Sequence, residues 1–393
     1  MCMTKNNLRL LVAGGGSGGH LYPALSVVRE LEKMVPCSVL FAGTRRGLES
    51  RIVPGEGYSL ATVWISGLHR GRLFRNLLFP LKMAVSLIQA AGVIMRFRPH
   101  LVFGTGGYAS WPVMTAAWLM GRRTAIQEQN RSPGLVTRLM APRVDSVHLS
   151  FDASKACFKN QKNLHVSGNP TRSDLEGTDR KSACRRLDLD PKKNILFVFG
   201  GSQGARAINE AMLPLLERLA ERNDVQVLWV PGPRWAESIE RRTGQYSGYL
   251  RIFPYMNDMA SAFAASDLVI CRSGATTVAE ITRLGLAAVF IPFAGAAGGH
   301  QMENARLLAS GKAAELVPES ELEDPAWQDR VLHLLDSRKE REAMGHRAKR
   351  FGRPEAAREI ALDLISLSGW FSNLTGEDGG NRKESGERRD DLS

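Results

Sequence analysis

Short apolar runs alternate along this chain with longer stretches whose apolar positions recur every three to four residues. The runs are residues 8–13, 38–42, 101–103, 124–126 and 144–149 in the first half, and 195–199, 225–230, 251–253, 268–271 and 288–292 in the second. Runs this short and this continuous predict strands buried on both faces. Residues 21–33 place Leu21, Ala24, Leu25, Val28 and Leu31 at helical spacing, which predicts a helix with Pro23 in its first turn. The alternation persists to the end of the second half. The expected fold class is therefore α/β, with one Rossmann-like, doubly wound parallel sheet in each half.

The turn Gly168-Asn169-Pro170-Thr171-Arg172 separates the halves, so the inter-domain connection is expected near residues 168–175. This gives a first domain over 1–171 and a second over 172–352. A last helix at about 353–372 is expected to pack back on the first domain. Residues 373–393, nearly devoid of apolar side chains, are expected to be disordered.

Charge narrows the partners without choosing one. Lysine and arginine outnumber aspartate and glutamate by 52 to 40, a formal +12, which favours nucleic acid, acidic lipid or phosphorylated substrates. No zinc-finger, homeodomain, bZIP or RNP pattern is present, so no nucleic-acid partner is expected. Cys2, Cys37, Cys157, Cys184 and Cys271 are scattered and form no CxxC pair, which fits a reducing compartment and neither a disulfide framework nor a zinc site. The first apolar run ends directly in glycines and is expected to be a strand, not a signal peptide.

The chemistry is concentrated where strands end in glycines. Gly14-Gly15-Gly16-Ser17-Gly18-Gly19-His20 joins the first strand to the first helix, an arrangement that offers backbone N–H groups and a helix N-terminus to phosphate. Gly14, Gly16 and Gly19 match GxGxxG. The second strand ends in Gly43-Thr44-Arg45-Arg46, with no carboxylate to hold a ribose. Arg45 and Arg46 suit a 2′-phosphate, so an NADP-dependent oxidoreductase is the alternative reading. Comparable loops follow other strands: Gly104-Thr105-Gly106-Gly107-Tyr108, Gly200-Gly201-Ser202-Gln203-Gly204 and Arg272-Ser273-Gly274-Ala275-Thr276-Thr277. Loops of this kind in both halves suit a diphosphate held in a cleft between two domains better than a single dinucleotide site.

GGGSGGH, GTGGY, Gln127-Glu128-Gln129-Asn130, GNPTR, GGSQGAR, CRSGATTVAE and His300-Gln301 with Asn304-Ala305 occur in this order. Over residues 8–370 the chain closely resembles the MurG-type UDP-N-acetylglucosamine–N-acetylmuramyl-(pentapeptide) pyrophosphoryl-undecaprenol N-acetylglucosamine transferases. The resemblance implies the GT-B fold, with the donor sugar nucleotide held mainly by the second domain and the acceptor by the first. It implies inverting transfer of N-acetylglucosamine from UDP-N-acetylglucosamine to the C4 hydroxyl of a polyprenyl-diphosphate-linked muramyl-pentapeptide.

The resemblance also implies roles for individual residues. Glu280 would accept the ribose hydroxyls, although Thr277-x-x-Glu280 also fits a capping box. Arg172 and the backbone of Met256 would lie near the uracil. Ser202 and Gln203 would face the diphosphate, with a helix N-cap at Ser202 as the plainer alternative. Ser273, Gly274 and Thr276 would form a second nucleotide-facing turn, and Gln301 would contact the sugar. Ser17, Gly18, Gly19 and Asn130 would border the donor, and Gly15, Gly16, Gly106, Gly107 and Tyr108 the acceptor diphosphate. Either His20 or Glu128 would be the general base.

No cofactor and no protein-bound metal are expected. Asp188-Leu189-Asp190 is spelled like a metal-binding DxD but lies in a polar linker before a strand. A polyprenyl acceptor requires membrane contact. Residues 77–95 are mostly apolar and flanked by Arg70, Arg72, Arg75, Arg96 and Arg98. Pro80, Lys82 and Gln89 argue against spanning. An exposed apolar edge resting on anionic lipid at the cytoplasmic face of the inner membrane is expected. The resemblance also allows for partners among envelope-synthesis proteins.

Overall fold

The computed structural model describes residues 7–67 and 78–370. The expected disordered tail, Leu77, and Arg70, Arg72 and Arg75 lie outside the described residues.

Two all-parallel sheets carry the fold. The first contains β1 (Leu8–Ala13), β2 (Cys37–Gly43), β3 (Ser59–Thr62), β4 (Leu101–Gly104), β5 (Arg123–Glu128), β6 (Ser146–Leu149) and β7 (Leu164–His165), in the order β3-β2-β1-β4-β5-β6-β7. The second contains β8 (Asn194–Phe199), β9 (Val225–Val230), β10 (Leu250–Ile252), β11 (Leu268–Cys271), β12 (Ala288–Phe290) and β13 (Glu315–Leu316), in the order β10-β9-β8-β11-β12-β13. Each is a doubly wound sheet, as the alternating pattern requires.

The central strands read as continuous apolar runs because both faces are covered. Leu8, Leu10 and Val12 enter one core, and Leu11 and Ala13 enter the core on the opposite face. In β8, Ile195, Phe197 and Phe199 point one way and Leu196 and Val198 the other. The ten strands predicted from the apolar runs are present. β3, β7 and β13 were not anticipated. All three are edge strands of two to four residues, too short and too polar to register as apolar runs.

One helix begins earlier than its apolar spacing suggests. It spans Gly18–Met34, so Pro23 lies in the second turn, and the Gly19 carbonyl lacks its usual partner there. The helix Ala356–Leu367 places Ile360, Ala361 and Leu364 in the first domain's core. It is pinned there by Asp363, whose Oδ2 accepts hydrogen bonds from Ser146 Oγ at 2.8 Å and His148 Nε2 at 2.9 Å. The hydrogen bond from His148 holds the Asp363 carboxyl below its ordinary range.

Strand order reverses between β1 and β4 in the first sheet, and between β8 and β11 in the second. Ligands of doubly wound sheets bind at the carboxyl ends of the strands at this switch. The four glycine loops are the four loops that leave these strands. The domains also touch directly. The Arg131 backbone N–H donates to Asn304 Oδ1 at 3.2 Å, the Arg131 guanidinium pairs with Glu303, and Arg283 Nη1 donates to Thr171 Oγ1 at 2.8 Å.

Candidate active site

In the first domain the two glycine loops are packed backbone to backbone. Gly107 has φ +76°, and a Cβ there would stand 2.6 Å from the Gly15 carbonyl oxygen, so only glycine fits. This contact brings Gly106 and Gly107 against the His20 ring. Tyr108 lies over Gly16.

His20 Nδ1 lies 2.8 Å from the Thr105 carbonyl oxygen and 2.8 Å from Gln129 Oε1. Two acceptors on one ring nitrogen require that nitrogen to carry the proton. In the neutral imidazole Nε2 then has the free lone pair. Gln129 is held in turn, its Nε2 donating to Thr105 O at 2.8 Å.

Glu128 is buried, and both of its carboxylate oxygens are engaged. Oε1 accepts from the Asn130 backbone N–H at 3.0 Å and Asn130 Nδ2 at 3.3 Å, and Oε2 accepts from the Gly134 N–H at 2.9 Å. The side chain of Asn130 is thus tied to Glu128. Together they shape the loop that carries Arg131 to the second domain.

A cavity of about 250 Å³ lies between the domains. Gly18, Gly19 and Tyr22 line it from the first helix, and Arg172 from the domain connection. Ser202, Met256, Gly274, Thr276 and Glu280 line it from the second domain. The helix Ala275–Leu284 is capped by Gly274, so Thr277 lies inside it and the capping-box reading of Glu280 does not hold. Glu280 is buried with its carboxylate 3.8 Å from the Arg172 guanidinium. Burial raises its pKa to about 7, with Arg172 opposing the rise and Asp174 adding to it. Thr276 Oγ1 is buried without a hydrogen-bond partner, an unmet polar group in the cavity wall.

The geometry places several of these side chains away from their expected positions. Ser202 is not a helix cap: the next helix is Arg206–Leu219 with Ala205 as its N-cap, and Ser202 and Gln203 stand exposed in the loop. The side chain of Ser273 does not face the cavity. It is buried and its Oγ donates to the Gln301 carbonyl at 2.8 Å. Gln203 and Gln301 line an adjoining space of about 690 Å³. Gln301 Oε1 accepts from the Phe293 N–H at 2.9 Å, which leaves its amide NH2 free as a donor. Ser17 is the N-cap of the first helix, exposed and without a side-chain cap bond.

Two residues were missed in the sequence. Tyr22 extends from the first helix into the cavity that Tyr255 lines from the second domain, with Arg172 stacked 5.3 Å from its ring centroid. Burial, with the neighbouring Tyr255 phenol, pushes its own phenol up to about 12. Tyr22→Phe is expected to cost about 1 kcal/mol of closure, seen as roughly five-fold weaker UDP binding by calorimetry. The second is Glu49, which is fully buried. Its Oε1 accepts from the Thr44 N–H at 2.8 Å and Thr44 Oγ1 at 2.7 Å, and its Oε2 from the Gly16 N–H at 2.9 Å. Because Glu49 is six residues beyond β2, spacing rules for ribose carboxylates do not find it.

Facing nucleotide folds with a cleft cavity between their switch points give the two-domain GT-B architecture, and the family matches make it that of a glycosyltransferase. Residues 10–149 match the Glycosyltransferase family 28 N-terminal domain, and residues 195–360 the Glycosyltransferase family 28 C-terminal domain. The UDP-N-acetylglucosamine–N-acetylmuramyl-(pentapeptide) pyrophosphoryl-undecaprenol N-acetylglucosamine transferase of Chlorobium limicola is 41% identical over 366 residues, 92% of this chain and 100% of its own. The enzyme of the same name from Moorella thermoacetica is 39% identical over 365 residues, 91% of this chain and 98% of its own. The crystal structure of Acinetobacter baumannii MurG aligns with a TM-score of 0.73 at 26% identity, covering 91% of this chain and 99% of that one. The chain belongs to this family, the UDP-N-acetylglucosamine–N-acetylmuramyl-(pentapeptide) pyrophosphoryl-undecaprenol N-acetylglucosamine transferases of peptidoglycan synthesis.

The oxidoreductase alternative is not supported, and the first glycine loop supplies a physical reason. The Gly16 N–H, one of the amides a dinucleotide pyrophosphate would need, already donates to Glu49.

Proposed function

We propose that this chain transfers N-acetylglucosamine from UDP-N-acetylglucosamine to the C4 hydroxyl of the muramyl-pentapeptide acceptor in one in-line displacement with inversion. The observation that carries the reading is the inter-domain cavity with a buried carboxylate, Glu280, and an unpartnered hydroxyl, Thr276, in its wall. Glu280 accepts the ribose hydroxyls. Arg172, Tyr22 and the backbone at Met256 bound the base. The loop carrying Ser202 and Gln203 takes the diphosphate together with the following helix N-terminus. One such terminus supplies about 0.3–2 kcal/mol, so loop amides and the Thr276 hydroxyl must act with it on the charge that grows on the leaving UDP. Gln301 offers its amide to the sugar.

His20 is the general base in this reading. Its Nε2 takes the proton of the acceptor hydroxyl as the oxygen attacks the anomeric carbon, and the bond to UDP breaks. Glu128 accepts three hydrogen bonds from the acceptor loop and is given the role of holding that loop in place of the base's. Gly106, Gly107 and Tyr108 border the acceptor diphosphate. The Gly16 N–H is withdrawn from that role by Glu49. The test is transfer of radiolabel from UDP-N-acetylglucosamine into butanol-extractable lipid. Label that remains water-soluble with a competent acceptor present would sink the assignment.

Membrane docking belongs to the helix Phe79–Phe97. Among the described residues it is the one helix long and apolar enough to cross a bilayer by length and composition. However, Ser86, Ala90 and Ile94 face the protein while Leu81, Ile88 and Met95 are exposed, so it lies along the surface. Trp64, Trp118 and Leu119 are exposed in the same domain. Ile88, 73% exposed, loses a side-chain burial of about 1.5–3 kcal/mol on replacement by a charge. Ile88→Glu is therefore expected to reduce co-sedimentation with anionic vesicles about ten-fold or more while leaving transfer to a detergent-solubilised acceptor intact.

A further inference from the structure

The two domains present matching glycine loops at matching switch points, yet the bend of one of them is filled from within. In the second domain Ser202 and Gln203 stand exposed. In the first, the side chain of Glu49 fills the bend. Carbon atoms added at Gly15, Gly43 and Gly47 would come 2.5, 2.5 and 2.3 Å from its side-chain atoms. These three glycines form a cradle with room for a carboxylate and for nothing added to their own backbones. A buried carboxylate is stable only when its oxygens are hydrogen-bonded. The three donors on Glu49 meet that requirement, and one of them, the Gly16 N–H, belongs to the loop that leads to His20.

We propose that Glu49 is a positioning residue: its carboxylate is the internal anion around which the first glycine loop folds, and through Gly16 it sets the placement of His20 against the acceptor hydroxyl. The inference rests on the reading of His20 as the base. The loop from Gly14 to His20 is held at two ends. Glu49 grips it at Gly16, and Thr105 and Gln129 grip the His20 ring. Releasing the first grip leaves the ring bonded but lets the helix start that carries it shift. Positioning errors of this kind are costly because the base must lie within hydrogen-bond reach of the proton it takes.

Glu49→Gln separates this role from folding. The amide oxygen keeps both bonds from Thr44, whereas the NH2 group confronts the Gly16 N–H, donor against donor. In the full-length enzyme, Glu49→Gln is expected to lower kcat about ten-fold or more, with a much smaller loss of UDP affinity, because the second domain supplies most of the nucleotide cavity, and with a folded protein whose thermal midpoint is modestly lowered by the buried donor pair. Glu49→Ala opens a space for a small anion, so added formate should restore part of its kcat and should do nothing for Glu49→Gln. In a His20→Ala background the further loss from Glu49→Gln should vanish, since residues acting through one another are non-additive. Native kcat in Glu49→Gln, or a loss multiplying fully with that of His20→Ala, would overturn the proposal and leave the base assignment standing. Native kcat in His20→Ala would overturn the base assignment and this inference with it.

Discussion

Replacing His20 by alanine is expected to lower kcat by about 10²–10⁴, the usual contribution of a positioned general base, with UDP affinity unchanged. The ring faces the glycine loops of the first domain, while the nucleotide cavity is lined chiefly by the second. Loss of the imidazole therefore removes proton transfer and not donor binding. Glu128→Gln provides the comparison. The amide keeps one acceptor oxygen and loses the other, so one of the bonds to Asn130 or Gly134 fails. That loosens the acceptor loop and should raise the acceptor KM several-fold, with kcat falling much less than in His20→Ala. Steady-state kinetics with acceptor and donor varied separately decide the matter. If Glu128→Gln loses the larger factor in kcat, the roles are reversed.

Glu280→Gln is expected to stabilise the free protein above neutral pH and to weaken donor binding at the same time. The folded-state pKa of about 7 lies above the ordinary value of 4.5. A raised carboxyl pKa means that the folded state holds the proton more tightly than the unfolded chain. The contribution is fully present below about pH 4.5 and is lost as pH rises through about 7. At pH 8 the ionised, buried carboxylate costs roughly 3 kcal/mol, relieved by the glutamine. Thermal midpoints of the two proteins should therefore differ at pH 8 and converge near pH 4.5. Ribose hydroxyls donate to the carboxylate form, and a hydrogen bond to a charged group contributes about 1.5–3 kcal/mol. The variant should bind about 10- to 100-fold more weakly. In the native protein, affinity for uridine, which has no titrating phosphate, should rise with pH through about 7. A pH-independent uridine affinity would show that Glu280 does not meet the ribose.

Much of this architecture was legible because it is local. A buried parallel strand must be an unbroken apolar run, and its following loop must turn sharply, so Leu8–Ala13 with Gly14-Gly15-Gly16 and Asn194–Phe199 with Gly200-Gly201 announce both the strands and the ligand loops. The family resemblance of those segments pointed to Gly18, Thr276 and Glu280, and all three line the cavity. Side-chain partners were not legible in the same way. Ser273 stands in a nucleotide-facing turn in the sequence and turns inward to the Gln301 carbonyl, 28 residues on. Edge strands such as Glu315–Leu316 also escape notice, because their pairing is supplied by the sheet and not by their own composition.

The chain by itself determines two doubly wound domains, their order, and the four turns that leave the switch-point strands. Strand periodicity and backbone permissiveness are properties of neighbouring residues. Only the tertiary structure decides which charged groups are spent and which remain free. Glu128 accepts hydrogen bonds from its own loop, Glu49 fills the first glycine bend, and Tyr22 enters the cavity beside Arg172. Among the described residues His20 keeps one ring nitrogen unbonded, because Thr105 and Gln129, 85 and 109 residues away, occupy the other. A hydrogen bond between distant residues has no periodic signature in a sequence, since folding alone brings its donor and acceptor within 3 Å.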